Sequence, residues 1–276
     1  MIVKNYFEDP SILHLGTCPN RSYYIPASKR MDNLVDDRAA SDRFQLLSGD
    51  WKFKFYDSIY DLKDAFFTAD YDVSDFDTIP VPSNWQMHGY DLHHYINARY
   101  PFPADPPYVP HDNPCGTYVT KFQYQKDLSA PLTFLNFEGV DSCYYVYING
   151  EFVGFSQVSH SPSEFDITDF VTEGTNTIRV KVLKWCCGSY LEDQDFFRFN
   201  GIFRDVYLLS RPKGHIKDIK ITTDGNVINV IFDGKAEITL LDGDKNELAD
   251  QTMIFITEGL SASSSVTKCR DARTQA

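Results

Sequence analysis

Cys143-Tyr-Tyr-Val-Tyr-Ile-Asn-Gly-Glu-Phe-Val-Gly-Phe155 decides the fold class. Two runs rich in aromatic and β-branched residues flank Asn149-Gly150, a dipeptide that supplies the two positive φ angles of a type I′ turn. The stretch is an antiparallel hairpin. Working outward, Tyr118–Tyr124, Leu132–Phe137, Thr177–Leu183 and Ile202–Leu209 have the same strand composition, and Trp51–Phe55 alternates apolar and basic residues with period two. Helical periodicity is brief, near Ile59 to Phe67. Residues 80–114 carry eight prolines and read as a shaped loop on a rigid sheet, the kind of segment that often carries function. Together these elements predict an all-β chain whose larger part, residues 1–215, is a β-sandwich of the jelly-roll kind.

The texture changes after Arg211-Pro-Lys-Gly214. Ile216–Ile221, Val227–Phe232 and Ala236–Leu241 read as short strands separated by Asp224-Gly225, Asp233-Gly234 and Asp242-Gly243. This predicts the opening of an immunoglobulin-like sandwich, a fold of about 100 residues, whereas residues 216–276 provide only 61. From Gly259 onward the stretch is Ser/Thr-rich, turns basic and loses the strand pattern, as a flexible tail or a truncated end would.

Composition excludes some functions. A net charge of −13 repels phosphate backbones and anionic membranes, so neither nucleic acid nor a membrane is an expected partner. The first residues lack the apolar run of a signal peptide, and no run of about eighteen apolar residues spans a bilayer. Six cysteines without a C-x-x-C pair fit a reduced, cytoplasmic protein. There is no G-x-S-x-G elbow, H-E-x-x-H pair or phosphate-binding Gly-rich loop. Adjacent His93 and His94 make a poor metal pair, because neighbours on a strand point to opposite faces.

One acidic concentration stands out, Glu192-Asp-Gln-Asp195. Such carboxylates can grip a cation or sugar hydroxyls, or serve as the carboxylate pair of a glycosidase; a solvated acidic turn is the plainer reading. A second candidate is the loop Tyr95-Ile-Asn-Ala-Arg-Tyr-Pro-Phe102, whose aromatics and Asn97 offer groups that suit a sugar.

Eight motifs in order extend these local readings. Leu47–Phe55, Val81-Pro-Ser-Asn-Trp-Gln-Met-His-Gly-Tyr90, Tyr100-Pro-Phe102, Asn113-Pro114, Phe137-Glu-Gly-Val140, Ser161–Ile167, Gly188–Asp195 and Gly201–Val206 resemble the front end of β-galactosidases of glycoside hydrolase family 2. The resemblance implies a galactose-binding-domain-like jelly roll. It implies that Asn97 contacts galactose, and that Asp195 binds galactose hydroxyls and helps hold a Na⁺ ion. In that family the bond-breaking glutamates, with Mg²⁺ ligands near them, lie on a later (β/α)₈ barrel, which takes about 250 residues. The expectation is therefore a non-catalytic portion with no catalytic residue of its own and only a partial Na⁺ site. It would act on a β-galactoside together with a barrel region or a complementing chain, as part of a homo-oligomer. A free-standing carbohydrate-binding module is the competing reading. Trp185-Cys-Cys187-Gly-Ser189 departs from the family's W-x-D-G-S pattern, and the lost charge is expected to disturb the loop that presents Asp195.

Overall fold

The computed structural model describes residues 4–31, 33–34, 36–62, 65–97, 99–192, 195–224 and 227–236, with a few short stretches beyond. The chain packs as two units. One comprises residues 1–20 and 25–213, the other residues 21–24 and 214–276.

The strands of the larger unit are β1 (His14–Leu15), β2 (Phe44–Leu46), β3 (Gly49–Tyr56), β4 (Asp77–Val81), β5 (Tyr95–Ile96), β6 (Cys115–Tyr124), β7 (Leu132–Phe137) and β8 (Val140–Asp141). They continue as β9 (Cys143–Ile148), β10 (Glu151–Ser156), β11 (Ser163–Asp166), β12 (Gly174–Leu183), β13 (Phe196–Phe197), β14 (Gly201–Ile202) and β15 (Val206–Arg211). Seven form one sheet in the order β1-β10-β9-β12-β6-β3-β4, and four form another in the order β11-β7-β15-β2. The all-β sandwich is the predicted class.

The core lies between these sheets. Tyr144, Val146 and Ile148 of β9 and Ile178, Val180 and Val182 of β12 meet Leu135, Phe137, Phe165 and Leu208 from the smaller sheet. The alternate residues of the same strands are also buried. Cys143, Tyr145 and Tyr147 join Phe7, Ile59, Leu62 and Phe66 in a second cluster on the outer face of the large sheet. Burial on both faces explains why β9 reads as an unbroken aromatic run rather than an alternating one. Arg179 straps the covering segment down, donating to the carbonyls of Phe66 at 2.9 Å and Tyr71 at 3.2 Å.

The hairpin of β9 and β10 forms as read, with Asn149 at φ 51° and Gly150 at φ 91°. Asn149 also donates to the Phe170 carbonyl at 2.9 Å and accepts from Thr177 N at 3.0 Å. A Cβ on Gly150 meets only ordinary contacts, so Gly150→Ala isolates the cost of the left-handed backbone. The expected loss is about 1 kcal/mol, read as a lower urea midpoint at unchanged slope.

Several elements differ from their sequence reading. Residues 59–61 and 66–67 form turns, with i→i+3 bonds from Asp61 N to Ser58 O and Thr68 N to Ala65 O. The helix-like spacing of Ile59, Leu62 and Phe66 reflects successive turns laid on the sheet. Ile202–Leu209 is two strands, because Phe203 and Arg204 both donate to the Gly139 carbonyl and turn the chain between β14 and β15. Pro80 lies inside β4, where the sheet's edge spares its missing N–H.

The smaller unit contains β16 (Ile219–Asp224), β17 (Val227–Phe232), β18 (Gly234–Ala236), β19 (Phe255–Thr257) and β20 (Thr267–Lys268). They form the sheets β16-β17-β20 and β18-β19. Residues 21–24 belong here through Ser22 N, which donates to Asp218 Oδ1 at 2.7 Å, and the Tyr24 hydroxyl, which donates to Ile216 O at 2.6 Å. The Ser/Thr-rich end does contribute a strand, since Thr267 and Lys268 pair with Ile228 and Val227. The Asp242-Gly243 turn lies outside the described residues.

Candidate sugar-binding site

Two loops meet at one end of the large sheet, one entering β6 at Cys115 and the other leaving β12 at Leu183. Their meeting point is a two-stranded ribbon in which Ile96 of β5 faces Phe196 of β13, and Tyr95 faces Phe197. The next residues along each strand are Asn97 and Asp195, so antiparallel register brings the two predicted site residues to the same end of the ribbon. Both are exposed. Tyr95 joins them: its hydroxyl donates to Asp195 Oδ1, and the Asn97 side chain lies close enough to act on the same hydroxyl. The Asp195 bond, more than partial burial, raises the Tyr95 pKa. Alongside runs an aromatic row. The Tyr95 and Phe197 ring centroids lie 5.2 Å apart, and Phe197 stacks on Phe199 at 5.2 Å and 17°. Phe197 is 50% exposed and presents an open face.

Beneath the ribbon lies a buried polar layer that sequence reasoning did not single out. Gln86 donates to Asn200 Oδ1 at 2.9 Å and accepts from Asn200 N at 2.9 Å. Asn200 in turn donates to Asp141 Oδ1 at 3.0 Å and to the Lys184 carbonyl at 3.2 Å. Lys184 Nζ pairs with Asp91 Oδ2 at 2.5 Å and touches His94 Nδ1 at 3.2 Å. Burial holds the Lys184 and His94 pKa values down, for His94 with help from the Lys184 charge. Asp141 is pushed up to about 7, first by burial and then by the Glu192 charge, against the pull of Ser142, Arg198 and Asn200. Gln86 stood in a quoted motif; Asp141, Lys184 and Asn200 carried no local signal, because their polarity is satisfied only by residues distant in sequence.

The acidic run divides. Glu192 Oε1 accepts from Ser159 Oγ at 2.6 Å, away from the exposed Asp195; Asp193 and Gln194 lie outside the described residues. Among the described residues no three His, Cys, Asp or Glu side chains gather as metal ligands. His93 Nε2 bonds to Gln86 O at 2.9 Å, so the two adjacent histidines serve different loop contacts. Cys187 begins a 3₁₀ turn to Tyr190; its thiol donates to Gln157 Oε1 at 3.2 Å, and burial raises its pKa to about 11. Cys186 N donates to Ser189 Oγ at 3.1 Å, so the turn is capped with Cys187 at the departing position. None of the five described cysteines is in a disulfide.

The model of the family described as "Glycosyl hydrolases family 2, sugar binding domain" matches residues 44–212, which take in every element of the site. The chain belongs to glycosyl hydrolase family 2. A β-galactosidase from Actinobacillus pleuropneumoniae is 52% identical over 221 residues, covering 80% of this chain and 21% of that protein. One from Staphylococcus xylosus is 43% identical, covering 81% and 22%. This family 2 chain thus spans about a fifth of the length of the curated relatives it matches. Among solved structures, a Faecalibacterium prausnitzii β-glucuronidase has a TM-score of 0.60 at 17% identity, covering 84% of this chain and 41% of that one. A Bifidobacterium dentium β-glucuronidase has a TM-score of 0.58 at 21% identity, covering 79% and 40%. At such identities the likeness concerns the fold. No helix among the described residues is long and apolar enough to cross a membrane.

Proposed function

We propose that this family 2 chain is the sugar-binding portion of a β-galactosidase and presents Asn97 and Asp195 to a terminal galactose. The observation that carries the reading is the convergence of these residues on the Tyr95 hydroxyl beside the open Phe197 ring. An amide and a carboxylate together donate to and accept from vicinal hydroxyls, and the ring offers an apolar face to the sugar's C–H groups. Both are positioning groups; hydrolysis belongs to glutamates on a barrel that these 276 residues do not contain.

The Asp195 carboxylate is also suited to a hard monovalent cation, which takes oxygen ligands. One of its oxygens accepts from Tyr95 and the other remains for the ion. Bound there, Na⁺ would neutralise Asp195 and orient sugar hydroxyls. No Mg²⁺ ligand set is assigned to this chain. The reading also implies a partner chain or region carrying the barrel, and assembly into an oligomer.

The test is reconstitution. The purified chain alone is expected to leave a chromogenic β-galactoside intact with Na⁺ and Mg²⁺ present. Mixed with a barrel-containing fragment of the Actinobacillus relative, it is expected to restore hydrolysis. Asp195→Asn and Asn97→Ala should each lower the restored kcat/KM roughly 10- to 100-fold, the cost of a hydrogen bond to a charged or well-positioned group. Hydrolysis by the chain alone, or restored activity indifferent to both substitutions, would sink the reading.

A further inference from the structure

A groove of about 580 Å³ opens at the other end of the sandwich. Strand β6 connects the two ends. Its Cys115 faces Leu183, beside the loops of the site, and its Tyr124 lines the groove. Ten strand residues at about 3.3 Å each separate them by roughly 30 Å.

Arg43, Gln45, Gln123, Tyr124, Asp127 and Glu173 set the groove's chemistry. Arg43 is 8% exposed, yet its Nε and Nη1 have no hydrogen-bond partner. Its Nη2 donates to Ser129 Oγ at 3.2 Å, while Nη1 stands 4.0 Å from Asp127 Oδ2, beyond hydrogen-bond reach. A buried guanidinium with idle N–H groups demands an acceptor. The rim carries complementary groups. Glu173 Oε1 accepts from Lys126 N at 2.9 Å, and Gln45 Nε2 donates to the Gln123 carbonyl at 3.2 Å, leaving further amide and carboxylate lone pairs facing solvent.

Charge selects the ligand. An anion would satisfy Arg43 but meet Asp42, Asp127 and Glu173; a cation would suit the carboxylates but offer the guanidinium no acceptor. Neutral hydroxyls both accept from the guanidinium and donate to the carboxylates. The half-buried Phe44 and Tyr124 line the same groove, and its volume falls within the range of small-ligand sites. We propose that this groove is a second saccharide subsite, taking a neutral hexopyranose independently of Asn97 and Asp195.

The test is a titration of the ¹⁵N-labelled full chain with galactose, followed through its backbone amides. Amides at Gln45 and from Gln123 to Asp127 are expected to shift saturably with a dissociation constant on the order of 1 mM, as suits a monosaccharide on an open groove. Asp195→Asn should leave that titration unchanged. Gln123→Ala and Glu173→Gln, both at exposed positions, should weaken it at least about fivefold. No saturable shift of these amides by about 100 mM galactose, or loss of the shift in Asp195→Asn, would overturn the proposal. Amides 95–97 and 195–197 report the first site separately, so the failure of one site does not disguise the failure of the other.

Discussion

Asn113→Ala is expected to lower the free energy of unfolding by about 4 kcal/mol. Asn113 is fully buried, and its side chain meets both backbone groups of Trp185: Nδ2 donates to Trp185 O at 2.8 Å, and Oδ1 accepts from Trp185 N at 2.9 Å. Its own carbonyl accepts from Ile59 N at 2.9 Å. One residue therefore fastens the proline-rich loop to the start of the second site loop and to the segment covering the outer face of the sheet. Truncation strands a buried donor and a buried acceptor, at roughly 1–3 kcal/mol each. Asn84→Ala is the control. It removes one side-chain bond at 3.5 Å to Asn200 O and should cost well under 1 kcal/mol by comparison. Urea denaturation of both variants checks the pair, and equal losses would show that Asn113 is not the fastener described.

Asp141→Asn is expected to change how stability depends on pH. In the fold Asp141 keeps its proton up to about pH 7, whereas an unfolded aspartate releases it near pH 3.9. Between those values the folded chain holds the extra proton, so raising the pH favours unfolding. The penalty is absent below about pH 4 and complete above about pH 7. Asparagine cannot ionise, and its carbonyl can accept the bonds that Ser142 Oγ and Asn200 Nδ2 now give to Asp141 Oδ1. From pH 4.5 to pH 8 the variant should gain about 3 kcal/mol relative to the parent chain. This double difference cancels any pH-independent packing cost. Parallel pH profiles in urea would refute it.

Much of the fold was legible because the sequence signals it locally. Asn149-Gly150 needs no distant partner to make a turn, and the sandwich strands announce themselves by composition. The misreadings have a common cause. Ile59, Leu62 and Phe66 have the spacing of a helix, but their burial is settled by Tyr145, Tyr147 and Phe155 beneath them. The break at Phe203 comes from the Gly139 carbonyl, more than sixty residues earlier. At the site, Asn97 and Asp195 were reached through ordered motifs, and no local rule would have paired them. Tyr95, their link, sat in the quoted loop as one aromatic among several. The layer of Gln86, Asp141, Lys184 and Asn200 was invisible because each side chain is completed by partners scattered along the chain.

The ribbon of β5 and β13 has one further consequence. Among the described residues its ladder is two residue pairs long, continued by one bond from Arg198 N to His94 O at 2.8 Å, while the sheet behind it is joined by ten pairs between β12 and β6 alone. Such a short ladder opens far more readily than the body that carries it. If the ribbon binds sugar as proposed, its apparent affinity is the intrinsic affinity scaled by the fraction of time the ribbon is closed. Any surface that clasps the ribbon shut would tighten sugar binding without touching the sugar, and sugar would in turn strengthen that surface's hold.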